Sequence, residues 1–255
     1  MADPAALLQV VDVLRTFGGI TAVDRLTFEA QPGETLGIIG PNGAGKTALL
    51  NVINGVYATE SGSIHLDGVR IDGLRPDQIA ARGIGRTFQS TEQVRDFRAV
   101  DYVMLGRQRH QVSSIVACGL NLPGVGRSER RELALALEML ERFGLGFAAS
   151  ERMSELPYGV QKLVDIARVV ASTPRLMLLD EPTSGTTSDE RAAIATVLAE
   201  VSSTRVTMLV IDHDVSFIST ISDRLMVMNY GRLLAEGLPE EVLARPDVIE
   251  AYLGL

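Results

Sequence analysis

The 255 residues carry 24 basic and 32 acidic side chains, a net charge of −8, with 46% hydrophobic residues and a mean hydropathy of +0.17. The apolar share excludes a solvated coil, the apolar runs fall short of the ~18 residues a membrane span needs, and the acidic balance argues against general nucleic-acid binding. One cysteine, Cys118, excludes an intrachain disulfide framework, and Asp3 and Pro4 stand where a secretory leader would be basic, so a cytoplasmic protein is expected.

In chain order, Leu7–Phe17, Ala22–Ala30, Thr35–Gly40 and Ser63–Ile71 read as strands, the last with an Asp67-Gly68 turn. The segment from about Thr87 to Leu156 carries few strand signals and reads as a helical insertion. Its clearest helix is Ser128–Phe143, with Ser128 as the cap, Leu133, Leu137 and Leu140 on the apolar face, and Gly144 ending it. Arg175–Asp180 and Val206–Asp212 lack alternation and read as strands buried on both faces. Between them a capped helix runs from about Ser188 to Val201, with Ile194, Val197, Leu198 and Val201 facing the core. The tail offers a strand at Leu225–Asn229, a turn at Tyr230-Gly231 and a closing helix near Glu240–Leu253. Strands alternating with helices specify an α/β fold. The expected division is 1–86 and 157–255 as the α/β core, with 87–156 inserted as a helical subdomain.

The strongest motif is Gly40-Pro41-Asn42-Gly43-Ala44-Gly45-Lys46-Thr47, set between a strand and a helix, as a phosphate-binding P-loop requires. Glycines let backbone N–H groups converge on phosphate oxygens, and the helix N-terminus adds a favourable dipole. Lys46 would reach the β- and γ-phosphates of a nucleotide, and the Thr47 hydroxyl would ligate Mg²⁺. Ala48 follows where a second hydroxyl could stand, which removes one α-phosphate contact but leaves the backbone cradle. The apolar run Leu176–Leu179 ends in Asp180-Glu181 at the carboxyl end of a strand, where open α/β sheets bind ligands. Asp180 suits Mg²⁺ binding through water, and Glu181 suits orienting or deprotonating an attacking water.

With these motifs in this order, the chain resembles the ATP-binding cassette (ABC) ATPases over essentially its whole length. The resemblance implies a P-loop cassette with an antiparallel β subdomain and an inserted helical subdomain, and ATP with Mg²⁺ as its ligands. It implies that Gln89, in Gly85-Arg86-Thr87-Phe88-Gln89, senses Mg²⁺ and the γ-phosphate, and that His213 contacts the γ-phosphate. Phe17, with Val23 nearby, falls where the family stacks an aromatic ring on adenine. The signature segment reads Leu156-Pro157-Tyr158-Gly159-Val160-Gln161, in which Gly159 keeps the close backbone approach to nucleotide. Pro157 replaces the serine that would bond the γ-phosphate across a cassette dimer, so the site this chain completes for its partner is expected to be the weaker one. Thr186-Thr187 stand where Leu-Asp or Leu-Asn is common.

The Gly85–Gln89 segment, the Leu-Pro-Tyr-Gly signature and the tail Pro246–Gly254 resemble the ATPases of branched-chain and hydrophobic amino-acid importers. That implies a second, similar ATPase, two membrane permeases and an extracytoplasmic binding protein as partners, no nucleic acid, and a peripheral position on the inner face of the cell membrane. Segment 87–156 is then the expected permease contact. Arg86, Arg95, Arg98, Arg107 and Arg109 give that stretch a basic excess, readable equally as a solvated face. A lipopolysaccharide- or lipid-export ATPase is the alternative, with a similar tail but more often Tyr-Leu-Pro-Gln and an intact serine signature. A non-transport ABC ATPase would carry tandem cassettes or long coiled coils, for which 255 residues leave no room. His65 and His110 lack metal-ligand spacing, so no transition-metal site is expected.

Overall fold

A computed structural model describes residues 6–88, 94–107 and 125–253, which form two compact units. The first comprises Met1–Arg86, Arg175–Ser184 and Leu198–Leu255; the second comprises Thr87–Pro174 and Gly185–Val197.

The first unit holds two sheets. Strands β1 (Leu8–Phe17), β2 (Ile20–Ala30), β4 (Ser61–Leu66) and β5 (Val69–Arg70) form an antiparallel sheet in the order β2-β1-β4-β5. Strands β3 (Thr35–Ile39), β6 (Ile84–Arg86), β7 (Leu176–Asp180), β8 (Thr207–Ile211), β9 (Arg224–Asn229) and β10 (Arg232–Gly237) form the other, ordered β10-β9-β3-β8-β7-β6. All its pairings are parallel except the β9–β10 hairpin. Strands β3, β7 and β8 are buried at every position, as their unbroken apolar runs require. The hairpin turns through Tyr230 (φ 46°) and Gly231 (φ 78°), the positive dihedrals a two-residue loop needs to match strand twist. One core joins Val10, Leu26, Phe28 and Ile64 of the antiparallel sheet to Ile38, Leu178, Leu209 and Met226 of the other. Leu49 and Ile53 of helix α1 (Lys46–Ile53) complete it. The unit also contains α2 (Pro76–Ala81), α7 (Val215–Ile221), α8 (Pro239–Leu243) and α9 (Pro246–Leu253). The closing helix expected near 240–253 is therefore two, because Pro246 cannot supply the backbone N–H that would continue α8.

The second unit packs α3 (Ala99–Gly106), α4 (Val125–Arg142) and α5 (Tyr158–Ala171), and includes the start of α6 (Ser188–Ser203). Helix α4 begins upstream of Ser128, which is therefore an interior residue and not its cap. Gly144 does end the segment in the left-handed conformation (φ 69°). The buried stripe of α4 is Glu132, Ala136 and Leu140, while Leu137 is exposed, so the face is rotated from the leucine stripe expected. An ion pair explains the rotation: Arg107 holds Glu132, and the arginine also donates to the Ala171 carbonyl (3.1 Å). A second buried network centres on Asp165 of α5, which accepts bonds from the Tyr102 hydroxyl (2.6 Å), the Arg168 Nε (2.8 Å) and the Phe88 N–H (2.7 Å). These bonds draw α5 into the helical unit, so the division falls at Pro174/Arg175 instead of before residue 157. Among the described residues no helix is long and apolar enough to cross a membrane.

Candidate nucleotide site

Strand β3 lies at the interior of its sheet, and the loop leaving its carboxyl end runs straight into α1. Gly45, the N-cap of α1, has φ 98°; a Cβ there would stand 1.9 Å from the Ala22 carbonyl oxygen, so only glycine closes the loop. Lys46 folds back inside it, donating from Nζ to the carbonyls of Gly40 (2.7 Å) and Pro41 (3.1 Å). Burial pushes the Lys46 pKa below the ordinary lysine value, and the nearby Glu181 and Asp180 carboxylates oppose that shift. A partly desolvated ammonium beside the first N–H groups of a helix is a site built for phosphate. Asn42, Gly43, Ala44, Gly45, Lys46, Thr47 and Ala48 line one cleft of about 330 Å³ with Ala22, Glu181 and His213.

Two strand ends deliver the acidic and imidazole groups. Asp180 ends β7, and its partner in register is Ile211 at the end of β8, two residues before His213. The Asp180 side chain is fully buried, and its Oδ2 accepts a bond from Arg86 Nη2 at 3.0 Å. The same guanidinium donates from Nη1 to Asn51 Oδ1 of α1 at 2.6 Å. Glu181 leaves the strand in the left-handed region (φ 52°), with its N–H on the Ile211 carbonyl (2.8 Å). Left-handed backbone costs a non-glycine residue about 1 kcal/mol or more, and it turns this side chain into the cleft. There its Oε1 lies 2.7 Å from His213 Nε2. Asp212 staples the two loops: its Oδ2 accepts from the Thr183 N–H (3.0 Å) and hydroxyl (2.7 Å), and its Oδ1 from the Asp214 N–H (3.0 Å). Asp214 in turn caps α7 through the Phe217 N–H (3.0 Å).

The remaining expected residues are placed differently. Phe17 is half-buried at the end of β1, edge-on to Tyr57 (centroids 4.9 Å) with the Arg15 guanidinium 4.6 Å from its ring centre. Val23 is fully buried in the core, and its neighbour Ala22 lines the cleft instead. Strand alternation accounts for the one-residue offset, since adjacent side chains of β2 face opposite ways. Gly159 lies in the second unit, in the first turn of α5 behind the N-cap Pro157. Its N–H donates to Glu190 Oε1 at 3.1 Å. Glu190 and Thr187 form a reciprocal cap at the start of α6, so Thr187 is the cap of this helix. Gln89 lies outside the described residues, as do Cys118 and His110.

Sequence reasoning gave no role to Asn51 or Asp212, and named Arg86 only as part of the Gly85–Gln89 motif and of a basic stretch. It also gave the closing helix no place at the site: Tyr252 of α9 meets the backbone of Gly40 and, with Asp247 and Glu250, borders a second opening of about 630 Å³ beside Pro41–Ala44. Among the described residues no group of three His, Cys, Asp or Glu side chains could form a metal cage. The oxygen groups near Lys46 are instead one hydroxyl (Thr47) and two carboxylates (Asp180 and Glu181). That set fits Mg²⁺, which takes one or two protein oxygens and completes its shell with phosphate and water.

A family profile described as ABC transporter matches residues 23–184, and one described as branched-chain amino acid ATP-binding cassette transporter matches residues 232–254. The chain is 36% identical over 249 residues to the high-affinity branched-chain amino acid transport ATP-binding protein BraF of Pseudomonas aeruginosa, covering 97% of this chain and 98% of that protein. It is 36% identical over 255 residues to the protein of the same description, LivG, of Escherichia coli K12, covering 100% and 99%. The structure of a nucleotide-free ATP-binding cassette from an ABC transporter superposes with a TM-score of 0.86 at 27% identity, over 98% of this chain and 100% of that one. An ADP conformation of an ABC transporter cassette gives 0.85 at 27%, over 98% and 99%. A family profile over most of the chain, relatives matched end to end and a shared fold leave one conclusion: the chain belongs to the ATP-binding cassette family and is an ABC transporter ATPase.

Proposed function

We propose that this ATPase powers the import of branched-chain or other hydrophobic amino acids. The observation that carries the reading is the end-to-end 36% identity to two branched-chain amino acid transport ATPases, together with the specialised match at residues 232–254. In this reading the cassette works as a pair with a second ABC ATPase. The pair lies peripherally on the inner face of the membrane beneath two permease subunits, which receive substrate from an extracytoplasmic binding protein. The helical unit is the permease contact. If the chain serves this import, cells lacking it lose uptake of radiolabelled leucine, isoleucine and valine to the background level. Restoring the intact chain restores uptake, and the Glu181→Gln form does not. Undiminished uptake in the deletion strain excludes the reading.

The roles of the site residues follow from their chemistry. Backbone N–H groups from Gly40 to Thr47 and the Lys46 ammonium hold the β- and γ-phosphates, displacing the lysine from the Gly40 and Pro41 carbonyls. Phe17, at the end of β1, stacks on adenine. The Thr47 hydroxyl and the Asp180 carboxylate hold Mg²⁺, with Gln89 as the third contact that the family resemblance implies. When bound, the ion neutralises charge on the β- and γ-phosphates. Glu181 orients and polarises the attacking water, and His213, 2.7 Å from it, fixes its carboxylate and contacts the γ-phosphate. Gly159 presents the N-terminus of α5 to nucleotide on the partner cassette.

The signature of this chain is the weaker half of that arrangement, because Pro157 supplies neither a hydroxyl nor an N–H at the cap of α5. In the assembled transporter, Pro157→Ser is therefore expected to raise turnover at the partner's P-loop. One added charge-assisted hydrogen bond corresponds to about tenfold. Turnover at this chain's own P-loop should stay as it was. Site-resolved hydrolysis, with one P-loop disabled at a time, checks this; equal changes at both sites contradict it.

A further inference from the structure

We propose that Arg86 is a positioning residue that sets the strength of the Mg²⁺ site. Its guanidinium holds Asp180 when the ion is away and competes for that carboxylate when nucleotide brings the ion in. The proposal rests on the reading of Asp180 as a metal-holding carboxylate.

Geometry supports it from three sides. Arg86 ends β6, the strand beside β7, and is paired with Leu178, so its side chain starts within reach of the end of β7. The guanidinium then spans two partners, Asp180 Oδ2 at 3.0 Å and Asn51 Oδ1 at 2.6 Å, with only 17% of the side chain exposed and none of Asp180. Asn51 stands four residues after Thr47 on α1. Positions i and i+4 share a helix face, so the arginine is braced one turn below the hydroxyl assigned to the ion. Only a planar fork can make both bonds at once; a lysine ammonium would hold one partner or share a single point charge between them.

Electrostatics gives the contact its consequence. A fully buried carboxylate needs a cation, and Arg86 supplies one before any ion arrives. A divalent ion held through the same carboxylate then meets a fixed positive charge a few ångströms away, in surroundings that screen less than water does. The outcome is a metal site that stays intact when empty and is weaker than Asp180 alone would make it. Weaker holding favours release of the spent nucleotide with its ion after each turnover.

The test uses the purified full-length chain and a fluorescent, non-hydrolysable ATP analogue, titrated with Mg²⁺. Arg86→Met is expected to lower the half-saturating Mg²⁺ concentration about tenfold, with analogue binding in excess EDTA unchanged. Arg86→Lys, which keeps the charge but cannot hold both partners, should fall between Arg86→Met and wild type. The thermal midpoint of Arg86→Met should fall below wild type in EDTA, and the gap should close with Mg²⁺ and nucleotide. An unchanged or raised Mg²⁺ requirement in Arg86→Met overturns the proposal. Should that variant fail to fold, Asn51→Ala releases one hold on the guanidinium and must move the Mg²⁺ midpoint in the same direction by a smaller factor; no movement overturns the proposal equally. Asp180→Asn, measured alongside, separates the two readings. If it leaves the Mg²⁺ midpoint at the wild-type value, Asp180 does not hold the ion. If it raises the midpoint while Arg86→Met changes nothing, the role of Arg86 alone is excluded.

Discussion

Glu181→Gln should reduce ATP hydrolysis about a thousandfold, the usual contribution of a positioned general base, while ATP still binds. The two effects separate because Glu181 reaches the cleft from the end of β7, whereas the phosphate cradle is built by the loop between β3 and α1. Glutamine has the same size, adopts the same backbone and can still bond His213, so the cleft keeps its shape. What it lacks is the negative charge that polarises water. Phosphate release at saturating ATP reports the first effect, and equilibrium binding of labelled ATP the second. Hydrolysis within a few-fold of wild type would remove Glu181 from its assigned role; loss of binding would mean that the residue belongs to the cradle.

Gly45→Ala should abolish nucleotide binding and also destabilise the fold by about 2–4 kcal/mol, as overpacking combined with left-handed backbone strain does. The methyl group would sit 1.9 Å from the Ala22 carbonyl oxygen, which belongs to β2 and cannot retreat without disturbing its ladder with β1. Either the loop or the strand must move, and a moved loop no longer directs its N–H groups at one point. Thermal unfolding without nucleotide measures the cost to the fold. The absence of any rise in melting temperature on adding ATP measures the lost site. Gly43 is the informative control, because a Cβ there meets nothing within 4 Å and its positive φ (82°) is the main obstacle. Gly43→Ala should therefore cost less stability than Gly45→Ala.

The phosphate-binding end of the molecule was readable because its residues act locally. The loop from Gly40 to Thr47, the apolar run ending at Asp180 and the run before His213 each state a strand end within a few positions, and the structure puts all three at one cleft. What could not be read depends on neighbours far along the chain. Arg86 stood in the Gly85–Gln89 motif and in a basic stretch, but β6 lies beside β7, which begins ninety positions later, so its carboxylate partner was invisible to local pattern. The rotated face of α4 has the same origin, since Arg107 of another segment draws Glu132 inward past the leucine periodicity. Val23 and Ala22 were exchanged because alternation along β2 reveals which residues share a side, but not which side faces the loop.

Strand β3 has a consequence for the order in which the chain assembles. Its two sheet neighbours are β8 and β9, which begin 172 and 189 residues after it. The antiparallel strands β1, β2 and β4 find their partners within the first 66 residues. On a ribosome, the antiparallel sheet can therefore pair early, while the strand that launches the phosphate loop waits for nearly the entire chain to emerge. Until residue 211 is available that strand presents two unpaired edges, and until residue 229 it still presents one. The base of the phosphate loop thus depends on strands made late in synthesis, long after the antiparallel sheet has its partners.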